Sequence, residues 1–149
     1  MRRLFAAALL AGLPVAAGCG GDGGDGLVPV AGNVSVDGQP AGNAVVTFIP
    51  QGNTPGNGGT GMTDSTGRYE VTTPQGKKGL PPGQYKVTVS RPLNPDGSPP
   101  DPNTPPIESS ARETVLPKFS SPEKTELTAA VAAGDNRAFD FAVQSVKKK

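Results

Sequence analysis

Histidine and tryptophan are absent from this 149-residue chain, and cysteine occurs once. Each absence excludes a class of chemistry. Without histidine there is no imidazole to activate a serine nucleophile, and no histidine-containing zinc set can be assembled. A lone cysteine excludes an internal disulfide. Aromatic residues make up only 5% of the chain, so a core must be small and built mostly from valine. At about 25 cal/mol per Å² of apolar area, such a core supports a domain of roughly 100 residues with little surplus. An excess of one charge is missing too. The 14 basic and 13 acidic residues give +1, and without Arg2 and Arg3 the balance is 12 against 13, or −1. Neither value makes an electrostatic case for nucleic acid.

Glycine (21) and proline (17) are abundant instead. They cluster between short runs rich in Val, Phe, Tyr and Thr, the pattern of an all-β domain with many turns. The clearest stretch is residues 61–90. Tyr69, Val71 and Thr73 alternate with polar residues after a turn containing Asp64 and Gly67. Tyr85, Val87 and Val89 alternate after a second turn at Pro82-Gly83. A period of two marks strands with one face buried. Val28, Val30, Val34 and Val36 share one parity, and Asp37-Gly38 behind them is a hairpin signal. Residues 44–50 carry apolar side chains on both parities, as in a strand covered at least in part on both faces. Further strands are expected at 60–63, 125–131 (anchored by Leu127 and Val131) and 138–143, where Phe139, Phe141 and Val143 point inward. Residues 51–59 read as a mobile loop. Residues 92–106 hold seven prolines and almost no large apolar side chain, which predicts a disordered loop insertion within 91–117. About seven short strands without an amphipathic helix predict a seven-stranded antiparallel β-sandwich over residues 27–146.

The first 18 residues have a different character. Arg2 and Arg3 precede an apolar run, residues 4–15, that is too short to span a bilayer. Ala16-Ala17-Gly18-Cys19 follows. This resembles the lipobox of bacterial lipoproteins, with Ala16 where that family prefers Leu. The resemblance implies cleavage before Cys19 and acylation of its thiol, with several acyl chains each contributing about 0.8 kcal/mol per buried CH₂. An ordinary signal peptide leaving Cys19 free is the alternative. Residues 19–26, rich in Gly and Asp, read as a flexible tether. They lack the ligand spacing of a calcium loop. The lysines at 147–149 read as a solvated basic tail.

A second resemblance rests on four motifs in order. Val30-Ala31-Gly32-Asn33-Val34 with Asp37-Gly38-Gln39-Pro40 is similar to the opening of carboxypeptidase regulatory-like domains. Residues 44–48 continue that pattern, and Thr63-Asp64 with Gly67-Arg68-Tyr69 and Pro82-Gly83-Gln84-Tyr85-Lys86-Val87 resemble the family's later motifs. These domains are prealbumin-like (transthyretin-like) or Ig-like sandwiches. With the lipobox, the chain resembles small lipoproteins of planctomycete-type bacteria. The resemblance implies a non-catalytic module with no shared active site, no cofactor and no metal.

The expected function is a membrane-anchored envelope module, structural or protein-binding, held through Cys19. Two other classes stand beside it. A glycan or small-ligand site would use loops at one end of the sandwich, with Tyr69 and Tyr85 as the aromatic candidates. A hydrolase would need paired carboxylates, for which Asp64, Glu70 and Asp96 are the candidates. Asp64 reads better as a turn former, Glu70 as an outward strand residue and Asp96 as part of the loose loop.

Overall fold

The computed structural model describes residues 25–147. Cys19, the leader, most of the expected tether and Lys148-Lys149 lie outside the described residues. The chain is all-β with almost no helix. In chain order the strands are β1 (Ala31–Val36), β2 (Gln39–Pro40), β3 (Val45–Pro50), β4 (Gly59–Met62), β5 (Arg68–Glu70), β6 (Gly83–Ser90), β7 (Pro92–Leu93), β8 (Arg112–Glu113), β9 (Thr128–Val131) and β10 (Phe141–Val143), with one helical turn, α1 (Pro117–Ser120), between β8 and β9.

Each of the seven segments expected as strands contains one. The other three strands, β2, β7 and β8, are two-residue pairings. They depend on contacts too short to leave a periodic pattern. The helical turn was also unexpected. It buries Phe119, and Leu116 precedes it with Pro117 opening the turn, a position where the missing N–H costs nothing.

Two four-stranded sheets carry the fold. One has the order β4-β3-β6-β9 and is antiparallel throughout. The other is centred on β1. Along one edge β1 takes β10 in parallel, Val34 opposite Phe141; along the other it takes β5 and then β2, both antiparallel. The parallel β1–β10 pair departs from the purely antiparallel expectation. It arises because the chain crosses from β9 back to the first sheet and runs alongside its opening strand.

Both sheets turn their valines to one core. Val30, Val34 and Val36 from the first segment meet Val46, Val87 and Val89 from the second sheet, all buried. Phe48 lies among them. Its ring is 6.4 Å from Tyr69, 6.1 Å from Tyr85, 6.3 Å from Phe139 and 6.2 Å from Phe141. Three of these are edge-on contacts, each contributing about 0.5–1.5 kcal/mol beyond area burial. Both tyrosine hydroxyls are satisfied at the core's margin. Tyr69 donates to the Phe139 carbonyl and Tyr85 donates to the Pro81 carbonyl at 2.7 Å.

Gly32 explains one of the motif positions. A Cβ there would stand 2.0 Å from the Phe139 carbonyl oxygen. The missing side chain lets the segment before β10 pass against β1, where the Phe139 amide donates to Ala31 O at 2.9 Å.

The proline-rich segment is not a free loop. β7 pairs with β8 at its base, Leu93 opposite Arg112. Inside it Asn94 and Ser98 close a turn, with Ser98 O accepting from the Asn94 amide at 2.8 Å. Residues 51–59 are also fastened. Thr54 Oγ1 accepts from the Gln84 amide at 2.9 Å and donates to the Gln84 carbonyl at 3.0 Å.

Truncating the shared aromatic should be severe. Phe48→Ala should lose about 3–5 kcal/mol of unfolding free energy, the range for a core Phe→Ala change. Urea titration of the soluble domain checks this, with an unchanged midpoint contradicting the core assignment.

Candidate functional site

The strands run between two poles. The chain enters at one, where Val28 bridges Leu80 and the Val28 amide donates to Leu80 O at 2.7 Å. At the other pole lie the Asp37-Gly38 hairpin, the β7–β8 pair and the end of the described chain. The expected site residues divide between these poles.

Asp37 and Gly38 take positive φ, 51° and 82°, as a two-residue I′ hairpin requires. Asp37 does more than turn the chain. Its carboxylate accepts from the Ser145 amide and hydroxyl, which ties the first hairpin to the C-terminal segment. Those bonds hold its pKa below the usual carboxylate value. Asp64 Oδ1 accepts from the Thr66 amide (2.8 Å), the Thr66 hydroxyl (2.6 Å) and the Arg68 amide (3.1 Å). These bonds, led by the Thr66 hydroxyl, lower its pKa as well. Gly67 sits at φ 82°, and a Cβ there would stand 2.6 Å from Val34 O.

Pro82 and Gly83 lie at the opposite pole, and Gly83 serves a different purpose from the one its sequence suggests. Its φ is not positive; the left-handed residue is Gly79 at φ 91°. Gly83 is required by proximity, because a Cβ there would meet the Thr54 side chain at 2.3 Å.

The carboxylates considered for catalysis are not brought together. Asp64 is occupied by its own turn. Glu70 is exposed on β5 and pairs with Lys78 at 3.2 Å. Asp96 Oδ1 accepts from the Ser98 hydroxyl (2.7 Å) and amide (2.9 Å), which depress its pKa. The tyrosines are packed rather than displayed. Burial pushes both hydroxyl pKa values upward. Among the described residues no aromatic ring is exposed; Phe139 is half-buried and lies under the Arg137 guanidinium at 5.5 Å.

A depression of about 730 Å³ lies at the hairpin pole. Val36, Leu93 and Val146 supply its apolar surface, Arg91, Arg112 and Lys147 supply positive charge, and Asp96 and Glu113 supply negative charge. Glu113 organises it. One carboxylate oxygen accepts from the Ser90 hydroxyl at 2.6 Å, and the other accepts from the Arg91 and Val115 amides, each at 2.9 Å. Arg91 Nε donates to Gly42 O at 2.9 Å, and Arg112 donates to the Ala111 carbonyl at 2.9 Å. The three ion pairs among the described residues are Lys77–Asp25, Lys78–Glu70 and Arg137–Asp135. None involves the groove cations. An apolar floor beside the guanidiniums of Arg91 and Arg112, which donate only to carbonyl oxygens, suits an extended segment that carries a carboxylate.

Arg91, Glu113 and Ser145 carry this groove, and sequence reasoning missed them. One signal was available. Charged residues bracket the proline-rich insertion at Arg91 and at Arg112-Glu113, where the ends of an inserted loop must meet. Among the described residues no group of three or more Cys, Asp or Glu side chains is arranged to hold a metal ion.

Asp135 gives a pH test. The Arg137 side chain and amide bond its carboxylate and pull its pKa down to about 2. An unfolded Asp titrates near 3.9. Between these values the unfolded chain binds a proton that the folded chain does not, so stability falls as pH falls. The contribution is complete above about pH 4 and is lost towards pH 2. Asp135→Asn should therefore flatten the decline of the urea midpoint across this window, and a decline identical to wild type would contradict the assignment.

Comparison of the chain with protein-family models, with curated proteins and with solved structures gives no match.

Proposed function

We propose that this chain is a non-catalytic, lipid-anchored module of the cell envelope, and that the groove at its hairpin pole receives a segment of a partner protein. The anchor is the thiol of Cys19, in a setting that resembles a lipobox. The domain belongs, on this reading, to the prealbumin-like sandwiches of the carboxypeptidase regulatory-like kind. Support for that fold comes from the motif positions. Gly32, Asp37-Gly38, Asp64 and Gly67 each occupy a place where backbone geometry demands that residue type.

The observation that carries the binding role is the groove itself. Arg91, Arg112 and Lys147 line it beside Val36, Leu93 and Val146, and none of the three forms an ion pair among the described residues, although Asp96 and Glu113 also line it. A glycan-binding reading has less support, because the described aromatic rings sit in or against the core.

Two measurements test the proposal. A photo-crosslinking side chain at Val146, in intact cells, should give a discrete protein adduct that Arg112→Glu removes without changing the melting temperature. The same group at Thr128, exposed on β9, should give none. Equal labelling from both positions, or an adduct indifferent to Arg112, would count against the groove. Separately, Cys19→Ser should move the protein from the membrane to the soluble fraction, and the wild-type N-terminal peptide should carry acyl mass. An unmodified thiol would remove the anchor.

A further inference from the structure

The described chain enters the domain at one of its two poles. That entrance is fixed. Lys77 pairs with Asp25, and Val28 exchanges backbone hydrogen bonds with Leu80 in both directions, at 2.7 and 2.9 Å. The loops that share this pole are nearly free of charge. Residues 51–58 and 80–82 contain no ionisable side chain, and the turn at 132–135 adds only Asp135, paired with Arg137. Residues 74–79 contribute Lys77 and Lys78, which are matched by Asp25 and Glu70. The opposite pole carries both signs: Asp37, Asp64, Asp96, Asp101 and Glu108 on turns or exposed loop segments, and Arg91, Arg112 and Lys147 at the groove.

Chain length then limits orientation. At 3.3–3.6 Å per residue, the segment between Cys19 and Asp25 spans at most about 21 Å. The strands alone are longer: the eight residues of β6 run about 26 Å, and loops extend both ends. A chain anchored at Cys19 therefore cannot turn its hairpin pole down onto the bilayer.

From this geometry we propose that the pole formed by loops 51–58, 74–79 and 132–134 lies against the phospholipid headgroups. The groove at the other pole is then held away from the membrane, facing a partner. The inference rests on Cys19 acylation and adds to it a defined contact face. Loops 51–58 and 132–134 carry no charge and can approach an anionic surface without carboxylate repulsion, and the only lysines of loop 74–79 are paired with Asp25 and Glu70.

The test uses the acylated full-length protein in phosphatidylethanolamine vesicles containing phosphatidylglycerol. Acylation consumes the Cys19 thiol, so an introduced cysteine is the single site for a fluorophore. Gln75→Cys and Asn53→Cys mark the entrance pole, and Glu108→Cys marks the far one; all three positions are exposed. Headgroup spin-labelled lipid should quench the label at 75 and at 53 several-fold more than at 108. Equal quenching, or stronger quenching at 108, in protein that still floats with the vesicles would overturn the orientation while leaving the anchor intact. Protein that fails to float would overturn both.

Discussion

Phe48 is the point on which the two sheets agree. It is one of few aromatic side chains, it projects from β3, and it meets rings from β5, β6 and the segment leading through β10. Valines fill the surrounding space but are too short to bridge two sheets alone. Sheets packed face to face stand about 10 Å apart, a gap that a valine-rich core closes only where larger side chains interleave. The aromatic cluster does this at the centre. Leu80, Val71 and Val115 extend the core outward. The small core thus places most of its cohesion in one neighbourhood, and the loops add to it by fastening their ends to the strands.

The same economy governs the charges. Asp37, Asp64, Asp96 and Asp135 each accept bonds from a serine, threonine or arginine and from a nearby amide. Glu113 accepts three. These acids fix backbone in place of the cross-links that disulfides would provide. Having spent their lone pairs on the scaffold, they are poorly placed for proton transfer. The groove guanidiniums of Arg91 and Arg112 differ, since they donate only to carbonyl oxygens.

The strand pattern was readable because burial alternates so cleanly. Val34 and Val36, Val46 and Phe48, and Val87 and Val89 all face inward as their parity predicts. Turns were readable where a side chain carries its own instruction, as Asp64 and Gly67 do. Less local features were not. Nothing near Gly32 announces that Phe139 will cross it, because the two meet only through the tertiary fold. Thr63 looks like part of a turn, yet its buried hydroxyl donates to Ala41 O at 2.6 Å and accepts from the Ala44 amide at 2.8 Å. Gly83 looks like a reversal and is instead a point of close contact. The proline-rich segment looked loose because composition cannot reveal that its two ends pair. Both the groove and the parallel edge come from such long-range meetings, which is why the scaffold was more legible than the site.

The parallel pairing of β1 with β10 also sets an order of events. These strands are separated by nearly the whole domain; Asn33 bonds Asp140 across 107 residues. The first sheet is therefore missing one flank until the last strand has been made. Contacts of such long range are slow to form, since closing the intervening loop costs entropy before any contact rewards it. A nascent chain would hold its opening valine strand unsealed through most of synthesis. Completion at the carboxyl end then acts as a latch, and the domain reaches its finished state only as a whole.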